Sequence, residues 1–396
     1  MPEGPSIAVL PFVNMSGDPE QEYFSDGLTE NIITGLSADG RLLVIARNST
    51  FSYKGKSVDI QEVARKLGAQ YMVEGSVQKK EDRVRVTAQL IDSNTGHHVW
   101  ADRYDRELKD IFALQDEITM KIIRGVGIGL LGGEGTREKD MPPSGRLEVY
   151  MKVMKAREYF FRFNKEGNIL ARQEVEDAIA LDPEYSLLYS VLALAHLYDL
   201  WFQSSESPIT SIAQASKNIE KSLALDEEGY FAHYALSALY WLRKEPDKAI
   251  NALERAIAIN PNGADAYAHL GSFFTCTGRV EEGLNLINKA LRLNPIPPAL
   301  YLNYLGAAYY FLGRYEDAIE VYEEVLKRSP DYLFAHVGLT ATYIASGREE
   351  KAHHQAEEAL RLDPGFSLDK FAETVFIKDE AEFERYIENL RKAGLK

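Results

Sequence analysis

The sequence predicts an α/β domain followed by an all-α one: a small mixed sheet with helices packed on it, then an α-solenoid. Three observations carry this. Strand-like and helix-like periods alternate through the first 124 residues, a glycine- and proline-rich stretch interrupts the pattern over 125–145, and from Asp182 onward one phrase returns about every 34 residues. The implied domains are 1–124, a linker 125–145, and 146–396.

Ile7-Ala8-Val9-Leu10 with Phe12 is a continuous apolar run, the pattern of a strand buried on both faces. Asp18 then caps a helix with Pro19 at its first position, and Phe24, Leu28, Ile32, Ile33 and Leu36 form its apolar stripe. Leu42–Ala46 reads as a second strand, Asp59–Leu67 as a second helix closed by Gly68, and Tyr71–Val77 as a third strand. From Arg83 the period becomes two: Val84, Val86, Ala88 and Leu90 alternate with polar residues, an antiparallel strand with one wet face. A last strand, His98–Tyr104, and a helix from Asp110 to about Arg124 complete the order β-α-β-α-β-β-β-α. Within the linker, Gly127, Gly129 and Gly132 spell a dinucleotide fingerprint, but they trail a helix and run toward Pro142-Pro143, so no cofactor is expected.

The repeated phrase runs LDPEY, LDEEG, INPNG, LNPIP, RSPDY, LDPGF, at intervals of 44, 34, 34, 35 and 34 residues. Tyr267, Leu270, Gly271, Phe274, Gly283, Ile287, Ala290 and Pro295 fall on the signature positions of one unit. Leu305, Gly306, Tyr309, Ala318, Tyr322 and Pro330 do the same in the next. The period and these positions resemble tetratricopeptide repeats, each a pair of helices. About ten extra residues near Trp201–Thr210 account for the long first interval, Arg146–Asp182 reads as a degenerate opening pair, and Leu368–Ile377 with Glu380–Ala393 as a cap.

The first helix of each pair lines the inner face of such a stack. The expected peptide-binding groove centres on Phe231, Tyr234, Trp241, Asn303, Tyr310 and Phe334, with the aromatic rings as anchors. No lysine or arginine stands among the groove positions, so the expected occupant is an apolar peptide or the chain's own amino-terminal domain.

IAVLPFVNMSGDPEQEYFSDGLTENI, with VARKLGAQYMVEGSV (63–77) and RVTAQLIDSNTGHHVWADRYDRE (85–107), resembles the TolB amino-terminal-like domain of bacterial signalling proteins. The resemblance covers about 6–124 and implies a mixed sheet, followed in many such proteins by tetratricopeptide repeats. It also implies a frequent setting beside a class III nucleotide cyclase or a winged-helix DNA-binding domain. No stretch of this sequence shows the two metal-binding aspartates of a cyclase.

Other chemistry is expected to be absent. The formal charge of −15 and the ratio of 15 basic to 19 acidic residues over 1–124 disfavour a nucleic-acid partner, Lys79, Lys80, Arg83 and Arg85 notwithstanding. Adjacent pairs His97-His98 and His353-His354 diverge rather than converge on a metal. The single cysteine, Cys276, excludes an intrachain disulfide and fits a reducing, cytoplasmic setting. No apolar run approaches membrane-span length. The reading that results is a non-catalytic interaction module for polypeptide partners, without cofactor or metal and with homo-oligomerisation open. Its alternative is the regulatory part of a class III adenylate or guanylate cyclase. A ligand near Asn14–Asp26, after the first strand, is a third candidate, though capping already explains that loop.

Overall fold

Pro11 has no N–H to give a ladder, and it divides the opening strand in two. β1 (Ser6–Val9) is buried on both faces, and β2 (Val13–Asn14) resumes pairing farther along the same neighbour. Between them the Phe12 N–H donates to the Thr29 hydroxyl at 2.9 Å, which ties the break to α1 (Glu22–Ser37). The computed structural model describes residues 4–126, 147–161, 164–201 and 207–396. The Gly127-Gly129-Gly132 fingerprint, most of the linker and the middle of the 201–210 insertion lie outside the described residues.

By its internal contacts the chain forms two units. One runs to Leu239 and adds Glu254–Gly263 and Leu293–Pro295; the other holds Tyr240–Leu253, Ala264–Arg292 and Ile296–Lys396.

In the first unit the sheet order is β3-β1-β4-β5-β6, with β2 also on β4. β3 (Leu43–Val44) and β1 are parallel, as are β1 and β4 (Tyr71–Lys80); β5 (Arg83–Asp92) and β6 (His98–Glu107) run antiparallel. The alternation read from β5 holds: Val84, Val86, Ala88 and Leu90 are buried under α4 (Ile111–Gly125), whose Ile111, Leu114, Ile118 and Ile122 face them. Asp18 caps a 3-10 turn, Pro19–Gln21, by accepting from the Glu20 N–H, and that turn leads into α1, whose own start at Gln21 carries no side-chain cap. Asp59 accepts from Glu62 to cap α3 (Ile60–Leu67), and Gly68 closes that helix with a φ of 65°.

Two elements differ from the sequence expectation. The second strand is two residues long rather than five, because the chain turns into a short helix, α2 (Arg47–Phe51), directly after it. β2 is additional, since Pro11 splits what reads as one strand.

The helical part begins with α5 (Leu147–Phe161) and α6 (Lys165–Leu181), followed by α7 (Ser186–Trp201), α8 (Pro208–Leu225), α9 (Tyr230–Leu242) and α10 (Pro246–Ile259). α11 (Ala264–Cys276), α12 (Val280–Leu293), α13 (Ala299–Phe311), α14 (Tyr315–Arg328), α15 (Leu333–Ala345) and α16 (Glu349–Leu362) continue the pairs. Turns within pairs place Gly278, Gly313 and Gly347 at φ of 88°, 69° and 77°, while Lys244, one period earlier, takes the same left-handed conformation at 57° without the freedom of glycine.

Two final helices, α17 (Leu368–Thr374) and α18 (Glu380–Lys392), cover the apolar surface of the second unit with Leu368, Ile387, Leu390 and Leu395. The expected first cap helix ends early: residues 375–379 are not helical and Ile377 lies outside α17. The architecture is therefore a small amino-terminal mixed-sheet domain followed by a helical solenoid.

Candidate functional site

Three features hold the chemistry of the chain. The first is a polar stripe on α1, opposite the apolar one. Asp26 and Glu30 are nearly buried, and each meets a cation. Lys54 Nζ lies 2.6 Å from Asp26 and 3.1 Å from Glu22. Burial raises the Asp26 carboxyl above its usual range, against the pull of the Lys54 ammonium. Glu30 sits between two arginines, Arg47 on α2 at 3.3 Å and Arg157 on α5 at 3.8 Å. Burial pushes the Arg47 guanidinium down, and Glu30 opposes that. Arg157 also donates to Asn31 at 3.1 Å, and Gln115 of α4 donates to the Tyr150 hydroxyl at 2.6 Å. These bonds join α1, α2, α4 and α5 within one unit. The signal lies in the sequence, since Asp26, Thr29 and Glu30 recur at helical spacing alongside the apolar stripe.

The second feature closes one edge of the sheet. A sheet edge exposes unpaired N–H groups, and at β3 the turns after α10 and α12 take them. The Val44 N–H donates to Asn262 Oδ1 at 3.0 Å, and the Ala46 N–H donates to the Leu293 carbonyl at 2.7 Å. Asn262 Nδ2 in turn donates to the Ser37 carbonyl at 3.1 Å, and the Ser49 hydroxyl lies 2.5 Å from Asn294 Oδ1. The amino-terminal domain thus meets repeat turns that belong to its own unit. Asn262→Ala leaves the Val44 N–H buried and unpaired, at a cost of about 1–3 kcal/mol. Hydrogen exchange checks this directly: the Val44 amide should exchange at least tenfold faster (~1.4 kcal/mol) than in the parent.

The third feature is the inner helix face of the second unit. The Trp241 ring stacks on Phe273 at 3.8 Å between centroids, and Phe376 lies 5.3 Å from it in a T-shaped pair. The Lys378 N–H donates to the carbonyl of Cys276, the last residue of α11, at 2.8 Å. Tyr310 is 1% exposed; its hydroxyl accepts from Asn389 Nδ2 at 2.9 Å and its ring meets Tyr386 at 5.4 Å. Two of the expected groove anchors, Trp241 and Tyr310, are therefore covered by the chain's own carboxy-terminal segment. Asn303 is half-buried, and its Oδ1 has no hydrogen-bond partner among the described residues. Phe334, beside Tyr332, remains 37% exposed. Phe231 and Tyr234 belong to the first unit, where they pack half-buried against a cluster with Leu194 and Ile219. Phe273 and Phe376 were missed because neither lies on an expected groove position.

Elsewhere the polar groups are spent internally. In the loop at Asn14–Asp26, Ser16 Oγ accepts from Lys79, Asn14 Nδ2 donates to the Asp18 carbonyl, and Gln21 donates to Asp18. The wet face of the sheet forms an open depression of about 940 Å³ with Glu74, Ser76, Thr87 and Gln89 on its floor, where Glu74 pairs with Gln89 and Ser76 with Thr87. Arg85 pairs with Asp105 across the strands at 2.6 Å, and Lys79 Nζ donates to Gln21, which engages half of the basic hairpin. His353 Nδ1 lies 3.0 Å from the Ala393 carbonyl, a capping contact. Among the described residues no three His, Cys, Asp or Glu side chains converge to hold a metal ion, and no helix is long and apolar enough to cross a membrane.

The fold is thus a small mixed-sheet domain followed by a TPR-like helical solenoid. Residues 230–262 and 299–332 match the tetratricopeptide repeat family, and residues 3–121 match the second domain of HilA/YgeH-like transcriptional regulators. A curated protein of Rhizobium meliloti (strain 1021), named "Putative adenylate cyclase 3", is 42% identical over 247 residues, 62% of this chain and 42% of its own length. The chain thus spans about two fifths of the relative it matches. Among solved structures, PilW, a type IV pilus biogenesis factor, is 20% identical with a TM-score of 0.41, covering 52% of this chain and 88% of its own. MamA is 23% identical with a TM-score of 0.34 over 39% and 91%. YrrB, described as a TPR protein with an unusual peptide-binding site, is 19% identical with a TM-score of 0.35 over 51% and 98%.

Proposed function

We propose that this chain is a non-catalytic interaction module of a bacterial signalling protein, whose repeats grip a polypeptide partner on their inner helix face. One observation carries the reading: that face already holds a polypeptide, taking the Phe376 ring against Trp241 and a backbone N–H onto the Cys276 carbonyl. A surface that binds one chain segment by ring and backbone has the chemistry to bind another. Phe334, with Phe231 and Tyr234, supplies further aromatic area for that partner. The mixed-sheet domain, TolB-like by its sequence, would bring the output side, since its polar α1 stripe and its β3 edge are bonded within the same unit as the first repeats.

The name of the Rhizobium relative favours a second reading, which places the same module in the regulatory region of a class III adenylate or guanylate cyclase. Both readings share the binding surface and a cytoplasmic setting. They assign this chain no chemical step.

A photo-crosslinking amino acid at Phe334 or Phe231 in bacteria, compared with one at exposed Glu320 on α14, tests the shared part. A protein adduct is expected at the two inner positions and not at Glu320. The same adducts at all three, or none at the inner two, would overturn it. Cyclic nucleotide formed from ATP or GTP by this chain would overturn its non-catalytic character.

A further inference from the structure

We propose that the inner face around Trp241 is a peptide site closed in cis by Val375–Lys378, and that its partner is an extended polypeptide presenting an aromatic side chain where Phe376 lies. This rests on the polypeptide-binding reading above and gives the partner its chemistry.

The occupant shows what the site selects. Residues 375–379 form no helix or strand of their own; Val375 continues from α17 through its N–H to the Phe371 carbonyl, and the chain then crosses to the repeats. Phe376 sets its ring at 76° to that of Trp241, 5.3 Å between centroids, while Trp241 is also stacked on Phe273. Two residues later the Lys378 N–H caps a carbonyl at the end of α11, one of the four that every helix leaves without an internal partner. An aromatic residue followed two positions later by a free N–H, in backbone that is neither helix nor strand, is thus the recognised feature. Lys378 itself is exposed, so the site takes its backbone rather than its charge.

The closure is light, and its anchors are elsewhere. α17 is tied through the Leu368 N–H to the Lys396 carbonyl at 2.7 Å, and α18 by the buried Ile387 and Leu390, with the buried Leu395 just after it. Residues 375–378 can therefore lift while both helices stay in place. A short tether gives the cis segment a millimolar effective concentration. A partner competes only by binding more strongly or by acting together with contacts elsewhere on the face.

Cys276, the only cysteine, reports on the state of the site because its carbonyl holds Lys378. Cys276 is half-buried and desolvation pushes its thiol up to about 12, so it should react more slowly with a disulfide reagent in the closed protein than in one whose segment has lifted.

The test uses the full chain and a fluorescein-labelled peptide copying Val375–Asp379. Phe376→Ala should bind the peptide at least tenfold more tightly than the parent by anisotropy, and a peptide with alanine for the phenylalanine should bind neither. Cys276 should react faster in Phe376→Ala and be slowed again by excess peptide. Lys378→Pro keeps the ring and removes the N–H, and should give a smaller gain in both readouts. If both variants keep the parent circular dichroism yet show the parent's peptide affinity and thiol rate, the segment is a fixed staple and the proposal fails. If Phe376→Ala unfolds, Lys378→Pro decides alone. Failure here leaves adducts at Phe334 and Phe231 intact, so it is distinguishable from failure of the binding reading.

Discussion

Tyr322→Ala should lower stability by about 3–5 kcal/mol, the cost of emptying a large aromatic site from a packed core. The Tyr322 ring, 3% exposed, sits between Gly306 of α13 and Gly338 of α15. A Cβ added at Gly306 would come within 2.7 Å of that ring, and one at Gly338 within 2.5 Å, so neither helix could carry a side chain there without moving. The glycines admit the ring, and the ring supplies the contact that joins successive helices. Relaxation that fills the hole would bring those helices together, but Ala335, Leu339 and Val325 around it are already buried and packed. Tyr322→Phe keeps the ring and should recover most of the loss. Urea denaturation of both variants checks the pair; an alanine variant within 1 kcal/mol of the parent would show that the repeats are not held together here.

Removing the carboxylate of Glu30 should cost a similar amount, about 3–5 kcal/mol, for a different reason. The cost lies less in the lost attraction than in what remains, the Arg47 and Arg157 guanidinium groups 3.3 and 3.8 Å from where an anion had been, their side chains 15% and 12% exposed. Arg47 also covers the Phe51 ring at 3.8 Å, so moving away to water would uncover apolar surface. Glu30→Gln keeps the shape and one acceptor and should lie between alanine and the parent in urea melts. Because the three residues belong to α1, α2 and α5, the alanine variant should also loosen α5, seen as faster hydrogen exchange along Val149–Ala156.

Much of this molecule was legible from its residues. The buried parallel strand at Ile7–Val9, the alternation of β5, the Asp59 and Gly68 caps of α3 and the helix pairs from Leu147 onward all follow from local rules. A strand's two faces, a helix's unpaired end groups and the space between adjacent helices each select a residue type at a fixed spacing, so they show in one dimension. The break at Pro11 obeyed such a rule and was passed over; α2 was not legible, since no capping side chain marks its start at Ala46.

What the linear pattern could not contain was which surfaces would meet. Asn262 reads as an ordinary turn residue, and only the folded unit brings its amide to the Val44 N–H, 218 positions away in the chain. Trp241 and Tyr310 were identified as aromatic residues of an inner face, and tertiary structure decided that Phe376, Tyr386 and Asn389 would lie on them. The physical reason is common to both cases: an amphipathic period encodes that a face is apolar or that a polar group needs a partner, but it carries no address. The address is set by which distant segment can reach that face at the least cost in chain entropy and leave no buried polar group unpaired.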